Sequence, residues 1–201
     1  IYLTNTSHTI DRFDTDLDGN PTAYLTFPKS VIAPQENISY MATYTIVFNN
    51  RTIPELYDNM SGSLNDIPQD LKIQYCVDTG LWHVHDPTLR ILAYEITENE
   101  TRALVIVKKF VLWIKEHIEY GTSDVPRYPN ETLREKLGDC DDQANLFVTL
   151  CRIIGLPAYI QIGCVYSPNK LTENSYWNGS LICKLNQLSW HGWAVVFIPP
   201  W

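Results

Sequence analysis

The chain is short of positive charge, of long apolar runs and of paired-cysteine motifs, and each shortage removes a class of function. Lys and Arg number 15 against 23 Asp and Glu, a formal net charge of -8. No Lys/Arg cluster overrides that balance, so nucleic acid is not an expected partner. No apolar stretch approaches the roughly 18 residues a membrane helix needs, so no membrane insertion is expected within this chain. There is no signal peptide and Ile1 is not an initiator Met. The chain is therefore expected to be a processed or excised product whose targeting or anchoring segments lie outside it. The five cysteines, Cys76, Cys140, Cys151, Cys164 and Cys183, contain no C-x-x-C pair, which excludes a zinc ribbon or a thioredoxin-type redox motif. There is no internal repeat and no low-complexity segment.

What is present suits a folded surface protein. A hydrophobic content of 45% and an aromatic content of 12% over 201 residues are ample for a packed core. The pattern N-x-S/T occurs seven times, at Asn5, Asn37, Asn50, Asn59, Asn99, Asn130 and Asn178. Chance, with this composition, gives about two. The excess points to a glycoprotein that is extracellular or at the cell surface; the alternative is an Asn/Thr-rich coincidence. An odd cysteine count in such a setting leaves one thiol for chemistry or for another chain.

Element patterns give an α+β fold. The first 70 residues read as strand and loop, with short strands over 23–27 and 39–48. Asp86-Pro87 reads as a helix start, and Asn99 as the cap of a second helix to about Ile118. A short helix over 130–137 is closed by Gly138. Another begins at Cys140 and ends at Gly155. Strands are then expected over 158–165, 181–185 and 191–198. The predicted organisation is a β-rich N-terminal module over 1–80 and a core domain over 81–201.

The segment KLGDCDDQANLF, residues 136–147, places Cys140 among Asp139, Asp141 and Asp142. Nearby negative charge opposes a thiolate. The first turn of a helix, with free N–H groups and the positive end of the dipole, favours one. Asp139, Asp141 and Asp142 themselves suit capping and first-turn positions. Downstream, Trp190-His191-Gly192-Trp193 opens an apolar strand. A helix-borne cysteine facing a strand-borne histidine is the arrangement of a thiolate–imidazolium nucleophile.

Gly138-Asp139-Cys140, then Gly155-Leu156-Pro157-Ala158, then His191-Gly192-Trp193, in that order, resembles the core of the transglutaminase-like superfamily over about residues 86–201. Ile118-Glu119-Tyr120 and Thr132-Leu133 upstream are also similar to its microbial members. The resemblance implies a papain-like fold and a Cys–His–Asp triad that attacks a carboxamide. An acyl-thioester then passes to an amine or to water. Carried over by position, Cys140 would be nucleophile and His191 general base and acid, with the Cys140 N–H helping to hold the oxyanion. The implied partner is a protein or peptide substrate. The acid of the triad follows the histidine strand in the family, whereas here the strand runs into Ile198-Pro199-Pro200-Trp201. That acid is expected after Trp201; the alternatives are a dyad, or a non-catalytic surface module for adhesion or assembly.

No cofactor and no metal are expected. Asp14, Asp16, Asp18 and Gly19 reproduce the first half of an EF-hand calcium loop, but Leu25 stands where the bidentate Glu is needed, so a polar turn is the better expectation. His83 and His85 are expected on one face of a strand, as structural residues. Cys151 is expected in the core, and a Cys164–Cys183 disulfide is a hypothesis.

Overall fold

The computed structural model of the chain describes residues 2–16, 19–29, 31–47, 52, 55–122 and 125–201. It divides into two compact units, Ile1–Pro54 and Glu55–Trp201. The dividing point lies upstream of the boundary near residue 80 that the sequence pattern places. Residues 55–80 carry two 3-10 turns and a helix rather than strands, and Ile67 is buried in the core of the larger unit.

The smaller unit is built from two antiparallel strand pairs. β1 (Tyr2–Thr6) pairs with β4 (Ala42–Thr45), and β2 (Arg12–Thr15) with β3 (Pro21–Tyr24). The strands are shorter than the sequence suggests, and Phe48 and Asn50 lie outside the described residues. None of this unit's described residues is buried, so it holds itself together by pairing and by contacts such as Arg12 over the Tyr24 ring at 3.8 Å.

The larger unit is organised around one helix. In chain order it contains α1 (Gln69–Tyr75), α2 (Pro87–Thr97), α3 (Ala103–His117), β5 (Glu119–Tyr120), α4 (Pro129–Glu135), β6 (Leu137–Gly138), α5 (Cys140–Ile153), β7 (Ala158–Tyr176) and β8 (Leu181–Val196). The helix α5 packs against α2, α3 and α4 on one side and against β7 and β8 on the other. From Ala144 to Ile153 every residue of it is buried, the pattern of a helix enclosed on all sides. Its Phe147 meets Phe110 of α3 edge-on at 6.4 Å. Cys151 is fully buried there, as expected, and burial pushes its thiol well above the usual range.

Local chemistry explains the helix ends. Asp86 Oδ1 accepts the N–H groups of Thr88 and Leu89 at 2.9 and 3.0 Å, which starts α2 where the sequence places it. The expected cap at Asn99 is corrected: Asn99 is in the left-handed region at φ 64°, just past α2, and α3 begins at Ala103. The Glu100 carboxylate instead accepts the N–H groups of Thr101 and Arg102. At the far end of α5, Gly155 adopts φ +84°. Its N–H bonds Arg152 O and the Leu156 N–H bonds Cys151 O, the two bonds of a Schellman closure.

The three strands expected after α5 are two. They form one long antiparallel hairpin, in register from Ala158↔Val196 to Tyr166↔Leu188, then irregular before Leu171↔Asn186. Along the first stretch, Ala158, Ile160 and Ile162 of β7 and Gly192, Ala194 and Val196 of β8 share the face toward α5.

Candidate active site

Cys140 is the first residue of α5 and is half-buried. The parallel pairing Tyr120↔Gly138 fixes the chain just before it. Gly138 is required by space: a Cβ there would lie 2.7 Å from Asp142 Cβ and 3.0 Å from Thr132 Cγ2. The next residue, Asp139, caps the helix reciprocally with Asp142.

The three carboxylates around Cys140 have separate fates. Asp142 is fully buried and committed to structure. It accepts the Arg127 backbone N–H at 2.7 Å, Arg127 Nη1 at 2.8 Å and the Asp139 N–H at 3.3 Å. Arg127 thereby ties the segment before α4 to the first turn of α5. Asp139 and Asp141 each bring a carboxylate oxygen within 4.8 Å of the other. Burial first, then Asp141, raises Asp139 from 3.8 to about 6. The Cys140 thiol donates weakly to Asp141 Oδ1 at 3.9 Å. Tyr120 also faces this cluster: burial, then the charges of Cys140, Asp139 and Asp141, raise its phenol above the usual value. One ligand atom each from Asp139, Cys140 and Asp141 lies within 4.8 Å of the others, so these are the residues that could hold a cation.

His191 lies on β8, opposite Gly163. It is the next residue, Gly192, that meets the cysteine segment. A Cβ on Gly192 would lie 3.0 Å from Asp141 Cβ and 3.3 Å from Asp141 Cα. Cys140 and His191 therefore flank one backbone contact, each a single residue away from it. Side chains alternate across a strand, so His191 and Trp193 leave β8 on the face opposite to Gly192. Consistent with that, the Trp193 ring covers Gly163, 2.8 Å from where a Cβ would sit, and the His191 and Trp193 rings are 5.9 Å apart. The structure thus brings the two segments together, while among the described residues no hydrogen bond joins His191 to Cys140.

The other sequence candidates resolve differently. Asp16 Oδ1 and Oδ2 accept the Asn20 N–H and Nδ2 at 2.8 and 3.1 Å and close a tight β2–β3 turn; Asp18 lies outside the described residues. His83 and His85 are not on a strand. They sit in the turn before α2, His83 stacking on Tyr128 at 5.5 Å. Cys164 and Cys183 are free thiols, opposite Trp190 and Asn174 in the ladder, so the hypothesis of a disulfide between them is not met. Arg127, Tyr120 and Gly192 were not legible as site residues. The one local signal for Gly192 is its place beside His191.

A model of the transglutaminase-like superfamily matches residues 90–200. Among curated proteins none matches significantly. Among solved structures, a proposed cysteine protease from Cytophaga hutchinsonii is similar at 20% identity and a TM-score of 0.48, over 69% of this chain. The chain spans 42% of that protein's length. The matched family model covers more than half of the sequence and includes Cys140, Gly155-Leu156-Pro157 and His191, so the chain belongs to the transglutaminase-like superfamily.

Proposed function

We propose that the protein is a thiol enzyme acting on peptide or protein carboxamide or amide bonds through an acyl-thioester on Cys140. One observation carries this: the half-buried cysteine is the first residue of a helix enclosed by core, with the His191 segment packed against its next neighbour. The Cys140 sulfur attacks the carbonyl carbon, and the backbone N–H groups of the first turn receive the developing oxyanion. The C–N bond breaks as His191 returns a proton to the leaving ammonia or amine. An amine or water then attacks the thioester and releases the sulfur. Catalysis in this scheme needs His191 to reach Cys140 across the Asp141–Gly192 contact, which the resting geometry does not do.

Alkylation of Cys140 by iodoacetamide tests the nucleophile. Labelling at neutral pH is expected to be faster than for free cysteine, and slower in His191→Ala. Equal rates in both proteins, no faster than free cysteine, would overturn the scheme. Incorporation of a fluorescent primary amine into a glutamine-containing protein, set against ammonia release without amine, separates acyl transfer from hydrolysis.

A second reading, a non-catalytic surface module, is favoured by the placement of His191 on the far face of β8. Both readings share a cell-surface or secreted location. Its support is that the six described sequon asparagines, Asn5, Asn37, Asn59, Asn99, Asn130 and Asn178, are all exposed. Expression through a secretory pathway should add mass that a glycan-specific amidase removes. An unmodified secreted product would count against a glycoprotein.

A further inference from the structure

A cleft of about 470 Å³ opens beside Asp141, on the sheet face that meets α5. Its walls are apolar: Leu81, Trp82, Pro126, Ile160 and Ile162. Ile162 is 60% exposed although it stands on the inner face, next to the Gly192–Asp141 contact. Its side chain is therefore open to an occupant of the cleft.

The wall opposite is held rigid. Trp82 Nε1 donates to Asn145 Oδ1 at 3.0 Å, and the Arg152 guanidinium lies 4.0 Å from the Trp82 ring centroid. Arg152 is itself buried and fixed by donating to Ala158 O at 2.9 Å and Val77 O at 3.3 Å. An indole N–H can only donate, so it orients the Asn145 amide and leaves the amide N–H groups as what that residue can offer. Thr79, Asp141 and Asn145 are the polar side chains of the lining; Asn145 is buried and Thr79 Oγ1 accepts from Arg152, which leaves Asp141 at the rim. A preformed apolar cleft of this size with a few fixed polar groups is the form of a side-chain pocket.

We propose that this cleft is the specificity pocket of the enzyme and takes an aliphatic or aromatic side chain of the peptide acyl donor. Asp141, the residue after Cys140, lines the cleft, so a side chain seated there lies one residue along the helix from the sulfur-bearing position. The Asp141 carboxylate at the rim selects against an acidic side chain. The assignment rests on Cys140 being the nucleophile, but it is testable without turnover.

The test is alkylation of Cys140 in the intact chain by chloroacetamides carrying an N-methyl, N-isobutyl, N-benzyl or N-carboxymethyl arm. In each case sulfur displaces chloride. Rates are read by mass spectrometry at Cys140 and divided by the rate of the same probe with glutathione. The isobutyl and benzyl probes should react about tenfold faster than the methyl probe, from the apolar area they bury. The carboxymethyl probe should be slower than methyl. In Ile162→Asp the isobutyl-to-methyl and benzyl-to-methyl rate ratios should fall to about one. Ile162→Ala, which adds no charge, should lose part of the apolar advantage. Equal normalised rates for all arms, or an advantage that persists in Ile162→Asp, would overturn the pocket alone. A Cys140 that accepts none of the probes would overturn the nucleophile as well.

Discussion

At its C-terminal end α5 closes on Arg152, whose guanidinium donates to Ala158 O, Val77 O and Thr79 Oγ1 and lies over Trp82. Burial lowers its affinity for a proton, yet Nε and Nη1 both find acceptors. At the N-terminal end, two carboxylates lean on each other beside a thiol whose described contact is one weak bond at 3.9 Å. One end gives a buried charge three acceptors and an aromatic face. The other gathers carboxylates around a thiol and leaves the thiol with a weak contact. Structural residues are saturated with partners, whereas residues held for chemistry keep capacity unused.

The contrast can be broken from the structural side first. Asp142 belongs to the saturated class despite sitting two residues from Cys140. Asp142→Ala should cost about 3 kcal/mol in urea unfolding, because the Arg127 and Asp139 N–H groups and Arg127 Nη1 lose their buried acceptor, while Glu135 still holds Arg127 Nε. Arg152→Ala should cost about 2–3 kcal/mol by the same measurement, through two carbonyls losing their donor and Trp82 losing its support. Gly192→Ala probes the border between the two classes. Its contacts with Asp141, at 3.0 and 3.3 Å, need only a shift of a few tenths of an ångström. About 1 kcal/mol should be lost in thermal unfolding, with a clear change in Cys140 alkylation.

The smallest effect lies within the reactive pair. Asp139 titrates near 6 in the folded protein against 3.8 when unperturbed, so the folded state holds that proton more tightly. Its contribution to stability is full below 3.8 and is lost as pH rises to about 6. Asp139→Asn cannot lose a proton. The difference in Tm between wild type and this variant should therefore fall across that window, and a difference constant with pH would show that burial does not hold the Asp139 proton.

Local signals carried much of the core from sequence to structure. Asp86-Pro87 and Gly155-Leu156-Pro157 are caps and stops whose partners lie within a few residues, so α2 and α5 start and end close to where their side chains say. The long hairpin was not legible, because the polar stretch 171–176 reads as loop and only its pairing with 181–186 keeps it extended. Pairing across a sheet, not propensity, decided that Leu181–Val196 is one strand. Cys140 as the head of a helix was readable from GDC and its acidic first turn. The direction of His191 was not: it depends on which of two adjacent residues the ladder turns toward α5, and a shift of one residue reverses it. Arg127 was silent because its partner, Asp142, is fifteen residues on and a basic residue in a loop is ordinarily solvated.

The reciprocal cap of Asp139 and Asp142 and the clamp from Arg127 leave the sulfur out of every strong interaction that fixes the helix start. Scaffold and reactivity are therefore separable heritable properties. A lineage can exchange Cys140 for serine or alanine at little cost to folding, and a domain of this architecture can drift from catalyst to recognition surface in a single codon change.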